Sequence, residues 1–169
     1  MPGTTLVLGL GDIERADDGL GPLALAALQR GYALDKRITT LDAPAVGVRL
    51  LPLLATMQHL LVLAVVRLGA PPGTLHRLEW RGAPDQLEPR LPQIRSDGVE
   101  ILRMLHFWID PVPELVLLGI EGETGSRSGG TSASVDRALP QIVQAAAEEL
   151  RRWGHSVAAR AVPGEPVAA

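Results

Sequence analysis

The 169-residue chain has no cysteine and few aromatic residues, with three Trp, one Tyr and one Phe. The absence of cysteine excludes disulfide bonds, thiolate zinc sites and a thiol nucleophile. The scarcity of aromatic residues, together with a net charge of −3 and no basic stripe, argues against nucleic-acid binding. Hydrophobic residues still make up 46% of the chain, so we expect one ordinary domain with a core of Leu, Val, Ile and Ala.

Long apolar runs are also missing. The longest run, Leu60–Val66, has the length of a strand and falls far short of the ~20 residues that a membrane-spanning helix needs. The N-terminus has neither the basic region nor the long apolar region of a signal peptide. We therefore expect a cytoplasmic protein without membrane contact, in which residues 1–157 form a single domain and residues 158–169 a flexible tail.

Apolar runs and helical patterns alternate along the chain. The runs predict strands at about 4–10, 37–41, 59–66, 74–80 and 114–120, of which 74–80 alternates as an edge strand does. Helical spacing predicts helices at about 18–32, 46–57, 97–108 and 134–153. This order indicates an α/β fold: a three-layer sandwich with a mostly parallel five-stranded sheet, one antiparallel edge strand, and helices on both faces.

The loop that follows the first strand is rich in acidic residues, namely Asp12, Glu14, Asp17 and Asp18. Its Gly-Leu-Gly start at 9–11 is like a dinucleotide-binding fingerprint, but Glu14 stands at the third glycine position. Carboxylates at that point would repel a pyrophosphate, so a phosphate site is not expected. The loop suits a cation, or Asp17 and Asp18 cap the following helix, where the first turn favours acidic residues.

Other polar residues give weaker signals. No two of the four histidines (His59, His76, His106 and His155) have the spacing of a zinc pair on one helix, so each is predicted to be structural or solvent-exposed. The Gly/Ser segment 125–130 lacks the Gly-x-Ser-x-Gly pattern of a nucleophile and is predicted to be a flexible rim. Arg67, just past the central strand, is either a counter-charge for the acidic loop or a surface charge.

Several motifs, taken in order, resemble those of the hydrogenase maturation endopeptidases. They are Gly9-Leu10-Gly11-Asp12, Asp17-Asp18-Gly19-Leu20-Gly21, Leu41-Asp42 with Gly47, the apolar strand ending at Ala64, Pro72-Gly73-Thr74, Gly119-Ile120 and Thr131-Ser132. This family trims the C-terminal extension from the large subunit of nickel–iron hydrogenases after nickel insertion. The resemblance covers about 6–153 and implies a metal-dependent endopeptidase, of the kind classified as aspartic-type. We expect a monomer that acts on the nickel–iron hydrogenase large-subunit precursor.

The family is described as having three metal ligands: an acid opening the first helix, an Asp ending the central strand, and a later His. Asp18 corresponds to the first ligand and remains a carboxylate. Ala64 stands at the second position, where a methyl group cannot bind a metal, and Asp97 stands at the third in place of His. The resemblance therefore implies Asp18 and Asp97 as metal ligands for nickel supplied by the substrate large subunit, with a shift towards oxygen ligation.

The remaining acids leave alternatives open. Either Asp12, Asp17 or Asp42 completes an oxygen site, or no metal is held. Asp42 and Asp12 are the candidate catalytic residues, which activate or orient water, although Asp42 also fits a turn residue. Asp97 equally fits the N-cap of the helix predicted at 97–108.

Three functions are compatible with these patterns. The first is the hydrogenase maturation endopeptidase. The second is a catalytically degenerate member of that family that acts as a hydrogenase assembly or binding factor. The third is an unrelated α/β enzyme that binds magnesium through Asp12, Asp17 and Asp18.

Overall fold

Strands and helices alternate in the computed structural model, which describes residues 3–43, 50–81, 113–124 and 130–161. In chain order the elements are β1 (Thr5–Leu10), α1 (Leu20–Gly31), β2 (Tyr32–Leu34), β3 (Ile38–Ala43), α2 (Leu50–Leu54), β4 (His59–Val66), β5 (Leu75–Trp80), β6 (Glu114–Glu121), α3 (Ala133–Arg152) and β7 (Val157–Ala159). A 3-10 turn, Ala16–Gly19, precedes α1. The helix predicted at 97–108 lies outside the described residues, as does most of the Gly/Ser segment 125–130.

Five of the strands form one sheet in the order β3-β1-β4-β6-β5. Neighbouring strands are parallel except β5, which runs antiparallel to β6 at the edge. The central strand β4 is a continuous apolar run because parallel strands in the middle of such a sheet are covered on both faces. The predicted α/β fold with a mostly parallel five-stranded sheet and one antiparallel edge strand is confirmed.

Side chains of β4 alternate between two core clusters, one on each face of the sheet. Leu60, Val62, Ala64 and Val66 belong to the cluster that contains Leu50 and Leu54 of α2. Leu61, Leu63 and Val65 belong to the cluster built with α1 and α3. This period of two places helices on both faces, as predicted.

The longest helix of the described residues, α3, is amphipathic. Ser132 is its N-cap, and the Ser132 hydroxyl accepts a hydrogen bond from the backbone N–H of Val135 at 3.4 Å. Arg151 and Arg152 lie in its last turn, where positive charge interacts favourably with the helix dipole. Neither α3 nor any other helix in the described ranges is long and apolar enough to cross a membrane.

Several details differ from the predicted element boundaries; among them, α2 ends at Leu54 and not at residue 57. Helix α1 begins at Leu20 and not at residue 18, because the 3-10 turn precedes it. No sequence pattern predicted β2 and β7, which pair with each other in a second, antiparallel sheet. Ala158 and Ala159 therefore belong to a strand, so the predicted start of the flexible tail at 158 is too early; residues 162–169 lie outside the described residues.

Candidate functional site

The acidic turn, residues 12–18 between β1 and α1, packs closely against the carboxyl edge of the sheet, which is the edge at which the parallel strands end. Gly11 has φ +134°, and a Cβ added there would lie 1.6 Å from the carbonyl oxygen of Asp18. A Cβ at Gly21 would lie 2.0 Å from the Leu10 carbonyl oxygen. Only glycine permits these approaches, which explains the glycines on both sides of the acids.

Asp17 is completely buried within this turn and bonds to two distant segments. Its Oδ1 accepts a hydrogen bond from the backbone N–H of Ser132 at 2.6 Å. Its Oδ2 accepts from the backbone N–H of Glu123 at 2.9 Å and from the Ser132 hydroxyl at 3.1 Å. The N-cap of α1 is Gly19, which has no side chain, so the prediction that Asp17 caps this helix is wrong. Its partners are instead backbone amides at the end of β6 and the start of α3.

The two candidate catalytic acids, Asp12 and Asp42, lie at the ends of adjacent strands but differ in their contacts. Asp12 accepts a hydrogen bond from the backbone N–H of Glu14 at 2.9 Å and pairs with Arg15 at 3.5 Å, both within its own turn. Asp42 lies opposite Gly9 in the sheet register, and its side chain is exposed. Of the two carboxylates, Asp42 is therefore the more accessible to a water molecule and a substrate.

The candidate metal ligands are only partly brought together. Asp18 is half-buried in the turn, while Ala64 is 1% exposed and belongs to the apolar core cluster on the α2 face. Asp97 lies outside the described residues. Within the described ranges, no group of three or more His, Asp or Glu side chains is placed to hold a metal ion. The described acids do not form a metal centre among themselves, which counts against the magnesium interpretation, since Asp12, Asp17 and Asp18 are all described.

Arg67, which follows β4, contacts the same edge of the sheet. Its Nη1 donates a hydrogen bond to the carbonyl oxygen of Glu123 at 2.5 Å, while the N–H of Glu123 donates to Asp17. Its Nε is buried and has no hydrogen-bond partner in the part of the chain that the structure describes. Arg67 is thus half-buried against the loop after β6, which counts against the surface-charge alternative.

Sequence reasoning missed a second buried carboxylate close by, Glu121, at the end of β6. It accepts hydrogen bonds from the backbone N–H groups of Leu68 and Gly69 at 3.0 and 3.1 Å, and His76 Nε2 lies 3.0 Å from its Oε2. These contacts fix the connection between β4 and β5. The only sequence signal was an acid closing an apolar strand, which does not reveal its partners.

Two other histidines meet at the opposite, amino edge of the sheet, where the parallel strands begin. Thr5 Oγ1 lies 2.7 Å from His155 Nε2 and 3.4 Å from His59 Nδ1. The His59 ring stacks on the Trp153 ring, with 4.6 Å between the ring centroids. Burial lowers the pKa of both histidines from the ordinary value, because the charged imidazolium loses its hydration. These contacts agree with the structural alternative of the prediction that each histidine is structural or solvent-exposed, although the convergence of His59 and His155 was not predicted.

The architecture and the site define the class of protein: an α/β protein with acidic side chains at the carboxyl edge of a mostly parallel sheet. The sequence profile of the hydrogenase maturation protease (HycI) family matches residues 23–149. The chain therefore belongs to the hydrogenase maturation protease family.

Similar proteins agree with this assignment. The hydrogenase expression/formation protein HupD of Rhizobium leguminosarum bv. viciae is 29% identical over 157 residues, which cover 92% of this chain and 78% of HupD. The hydrogenase 2 maturation protease of Escherichia coli is 26% identical over 163 residues, covering 96% and 97% of the two chains. The solved structure of the E. coli hydrogenase-maturating endopeptidase HybD superposes with a TM-score of 0.80 at 24% identity, covering 92% of this chain and 97% of HybD, and confirms the fold.

Proposed function

We propose that this chain is an endopeptidase that removes the C-terminal extension of a nickel–iron hydrogenase large-subunit precursor after nickel insertion. The observation that carries the proposal is the acidic turn of a hydrogenase maturation protease, held at the carboxyl edge of the sheet with Asp18 next to the buried Asp17. On this proposal the protein acts in the cytoplasm as a monomer.

Nickel belongs to the substrate in this proposal, because the described residues do not form a metal centre of their own. Asp18 is the carboxylate that contacts the nickel-loaded precursor, with Asp97 as the second candidate ligand. A carboxylate is a suitable contact because it neutralises positive charge and supplies oxygen donors. On this proposal the precursor completes a site that the described residues do not form by themselves.

Hydrolysis of the peptide bond needs a water molecule that attacks the carbonyl carbon while a base takes its proton. We assign this role to Asp42, because it is exposed at the carboxyl edge, whereas Asp12 is engaged by Glu14 and Arg15 within its own turn. The proton is then available for the departing amine, which completes cleavage. General-base assistance of this kind contributes on the order of 10²–10⁴ in rate.

A catalytically degenerate binding factor is the second candidate, and one observation favours it. The Ala64 methyl group is buried in the core at a position where the family resemblance places a metal-binding Asp. A member that keeps the fold and the acidic turn but lacks this ligand would dock on a hydrogenase subunit without cleaving it.

The intact mass of the nickel-loaded precursor, measured with and without this protein, distinguishes the two functions. We expect the wild type to remove a C-terminal peptide, Asp18→Ala to remove none, and Asp42→Asn to be slowed by about 10² or more. Glu148→Gln is the matched control, since this exposed carboxylate on α3 bonds only to Gln144 among the described residues and should leave the rate unchanged.

Each other outcome has a definite meaning. An unchanged mass together with a stable complex would establish the binding factor. Cleavage by Asp18→Ala at the wild-type rate would contradict the role of Asp18. If the protein neither cleaves the precursor nor forms a complex with it, the proposed function is wrong.

A further inference from the structure

The 3-10 turn Ala16–Gly19 contains two features that the turn itself does not stabilise. Ala16 has φ +49°, in the left-handed region that is unfavourable for a residue with a Cβ. Asp17 is completely buried, although a carboxylate is strongly destabilised away from water unless other groups bond to it. Such local strain persists only where surrounding contacts hold it, so contacts from outside the turn must fix its conformation.

Those contacts come from three directions. The carbonyl oxygen of Asp18 lies against Gly11, at the end of β1. The carboxylate of Asp17 accepts hydrogen bonds from Glu123 and Ser132, which are 106 and 115 residues further along the chain. The Ser132 hydroxyl also donates to Asp17 while it caps α3. The turn is therefore held between β1, the end of β6 and the start of α3.

We infer that Asp17 is a positioning residue for Asp18. The inference rests on the proposed function, in which Asp18 contacts the nickel-loaded precursor. Asp17 and Asp18 are consecutive residues of a one-turn helix, so fixing the carboxylate of Asp17 to two other segments fixes the backbone that carries Asp18. The turn is thereby organised before the precursor binds, and the Asp18 carboxylate does not have to be ordered at that moment.

Asp17→Asn tests this because the amide keeps the size of the carboxylate but replaces one acceptor oxygen with a donor. Whichever oxygen becomes the amide nitrogen, that atom can no longer accept a hydrogen bond from the backbone N–H of Ser132 or from that of Glu123, so at least one of the two backbone bonds is lost. We expect the affinity for the nickel-loaded precursor to fall on the order of tenfold in the wild-type background and to be unchanged in the Asp18→Ala background. Such coupling would show that Asp17 acts through Asp18, whereas a purely structural role would give the same loss in both backgrounds.

Glu149→Gln is the matched control for the loss of a buried, hydrogen-bonded carboxylate. Glu149 is buried in α3 and is bonded by Arg77 and Arg152, away from the acidic turn. We expect this variant to lower the melting temperature without any coupling to Asp18→Ala. If Asp17→Asn fails to fold, Ser132→Ala keeps the backbone N–H bond to Asp17 but removes the hydroxyl, both as a donor to Asp17 and as the cap of α3. We expect a smaller loss of affinity that is still coupled to Asp18→Ala.

Hydrogen exchange supplies a readout that does not need the precursor. The backbone N–H of Asp18 donates to the Arg15 carbonyl oxygen at 3.0 Å, and its exchange should accelerate in Asp17→Asn but not in Glu149→Gln. Unchanged exchange, or equal losses of affinity in both Asp18 backgrounds, would overturn the inference. If the wild type neither binds nor cleaves the precursor, the proposed function is wrong, and the exchange of the Asp18 amide alone decides whether Asp17 holds the turn.

Discussion

The two ends of the parallel sheet are both polar, but they are built in different ways. At the carboxyl edge, the buried carboxylates of Asp17 and Glu121 accept hydrogen bonds from backbone amides of loops. At the amino edge, the imidazoles of His59 and His155 share the hydroxyl of Thr5. The first arrangement uses carboxylates that bond to the backbone of loops, and the second uses two imidazoles that meet at one hydroxyl group.

This difference follows from the direction of the strands. Helices begin at the carboxyl edge of a parallel sheet, so unpaired amides and acidic loops collect there and make it the usual place for a site. At the amino edge the helices end, and the small sheet of β2 and β7 forms next to His155. The carboxyl edge is therefore the functional end in our proposal, and the amino edge contributes to stability.

The largest expected effect comes from placing a charge in the apolar part of the carboxyl edge. Ala64→Asp would bury a carboxylate in the core cluster on the α2 face, and we expect a loss of about 3–5 kcal/mol in the free energy of unfolding. Urea denaturation measures this, with Ala55→Asp at an exposed position as the control, expected within about 0.5 kcal/mol of the wild type. A loss below about 1 kcal/mol for Ala64→Asp would mean that other polar groups compensate the charge.

The same substitution tests whether a metal site can be restored. Ala64→Asp combined with Asp97→His recreates the donor types that the family resemblance gives at these positions. We expect Ni²⁺ to raise the melting temperature of this double variant and not that of the wild type, because only a ligand bound to the folded state stabilises it. An equal increase in the wild type would show that its own carboxylates already bind nickel.

At the amino edge, Thr5→Val should have an intermediate effect. Valine keeps the shape of threonine but leaves nitrogen atoms of His59 and His155 without their shared partner, which should cost about 1–3 kcal/mol. Urea denaturation again gives the value, and Thr39→Val in the edge strand β3 serves as the control, expected within about 0.5 kcal/mol. Equal effects of the two variants would contradict a specific role for the Thr5 hydroxyl.

The amino edge should also be sensitive to acid. Because burial lowers the pKa of His59 and His155 below the ordinary 6.5, the unfolded chain takes up protons first as the pH falls. The free energy of unfolding therefore has its full value above about pH 6.5. It decreases as the pH falls from that value towards the lower pKa of the folded state. His155→Gln should make this loss between pH 7 and 5 smaller, because glutamine does not titrate in this range.

Melting temperatures of the wild type and of His155→Gln, recorded at a series of pH values, measure this difference. A further loss below pH 4 is expected in both proteins, since the Arg37 side chain holds the pKa of Asp35 well below its ordinary 3.8. Parallel curves for the two proteins between pH 7 and 5 would show that His155 does not titrate in this range.

The smallest effect is expected for the ion pair of Asp12 with Arg15. The Arg15 side chain is 67% exposed and the Asp12 side chain 43% exposed, so solvent screens the pair. Arg15→Ala should therefore change the free energy of unfolding by less than about 1 kcal/mol. Denaturation at low and at high salt measures it. A larger, salt-insensitive loss would mean that this pair, like Asp17, is part of the structure that holds the turn.

Most of the sheet could be predicted from the sequence, because each strand is a local apolar run and β4 is covered on both faces. β2 and β7 could not, since three-residue strands carry too little pattern and pair across more than 120 residues of chain. The same limit applies to the site. The sequence alone identified the residues of the acidic turn, Asp42, and the alanine at the position of a family metal ligand, Ala64. It did not identify the contacts of Asp17, for which the predicted helix cap was wrong.

The sequence by itself determined the α/β class, the edge strand, the family and the acids that precede α1. The class and the edge strand follow from periodicity, and the family follows from the resemblance of short motifs, all of which are local features along the chain. Only the tertiary structure decided that Asp17 bonds to Glu123 and Ser132 and that His59 and His155 meet at Thr5. A buried polar group requires a hydrogen-bond partner, but any suitable donor will satisfy it, and folding alone determines which distant donor comes within reach.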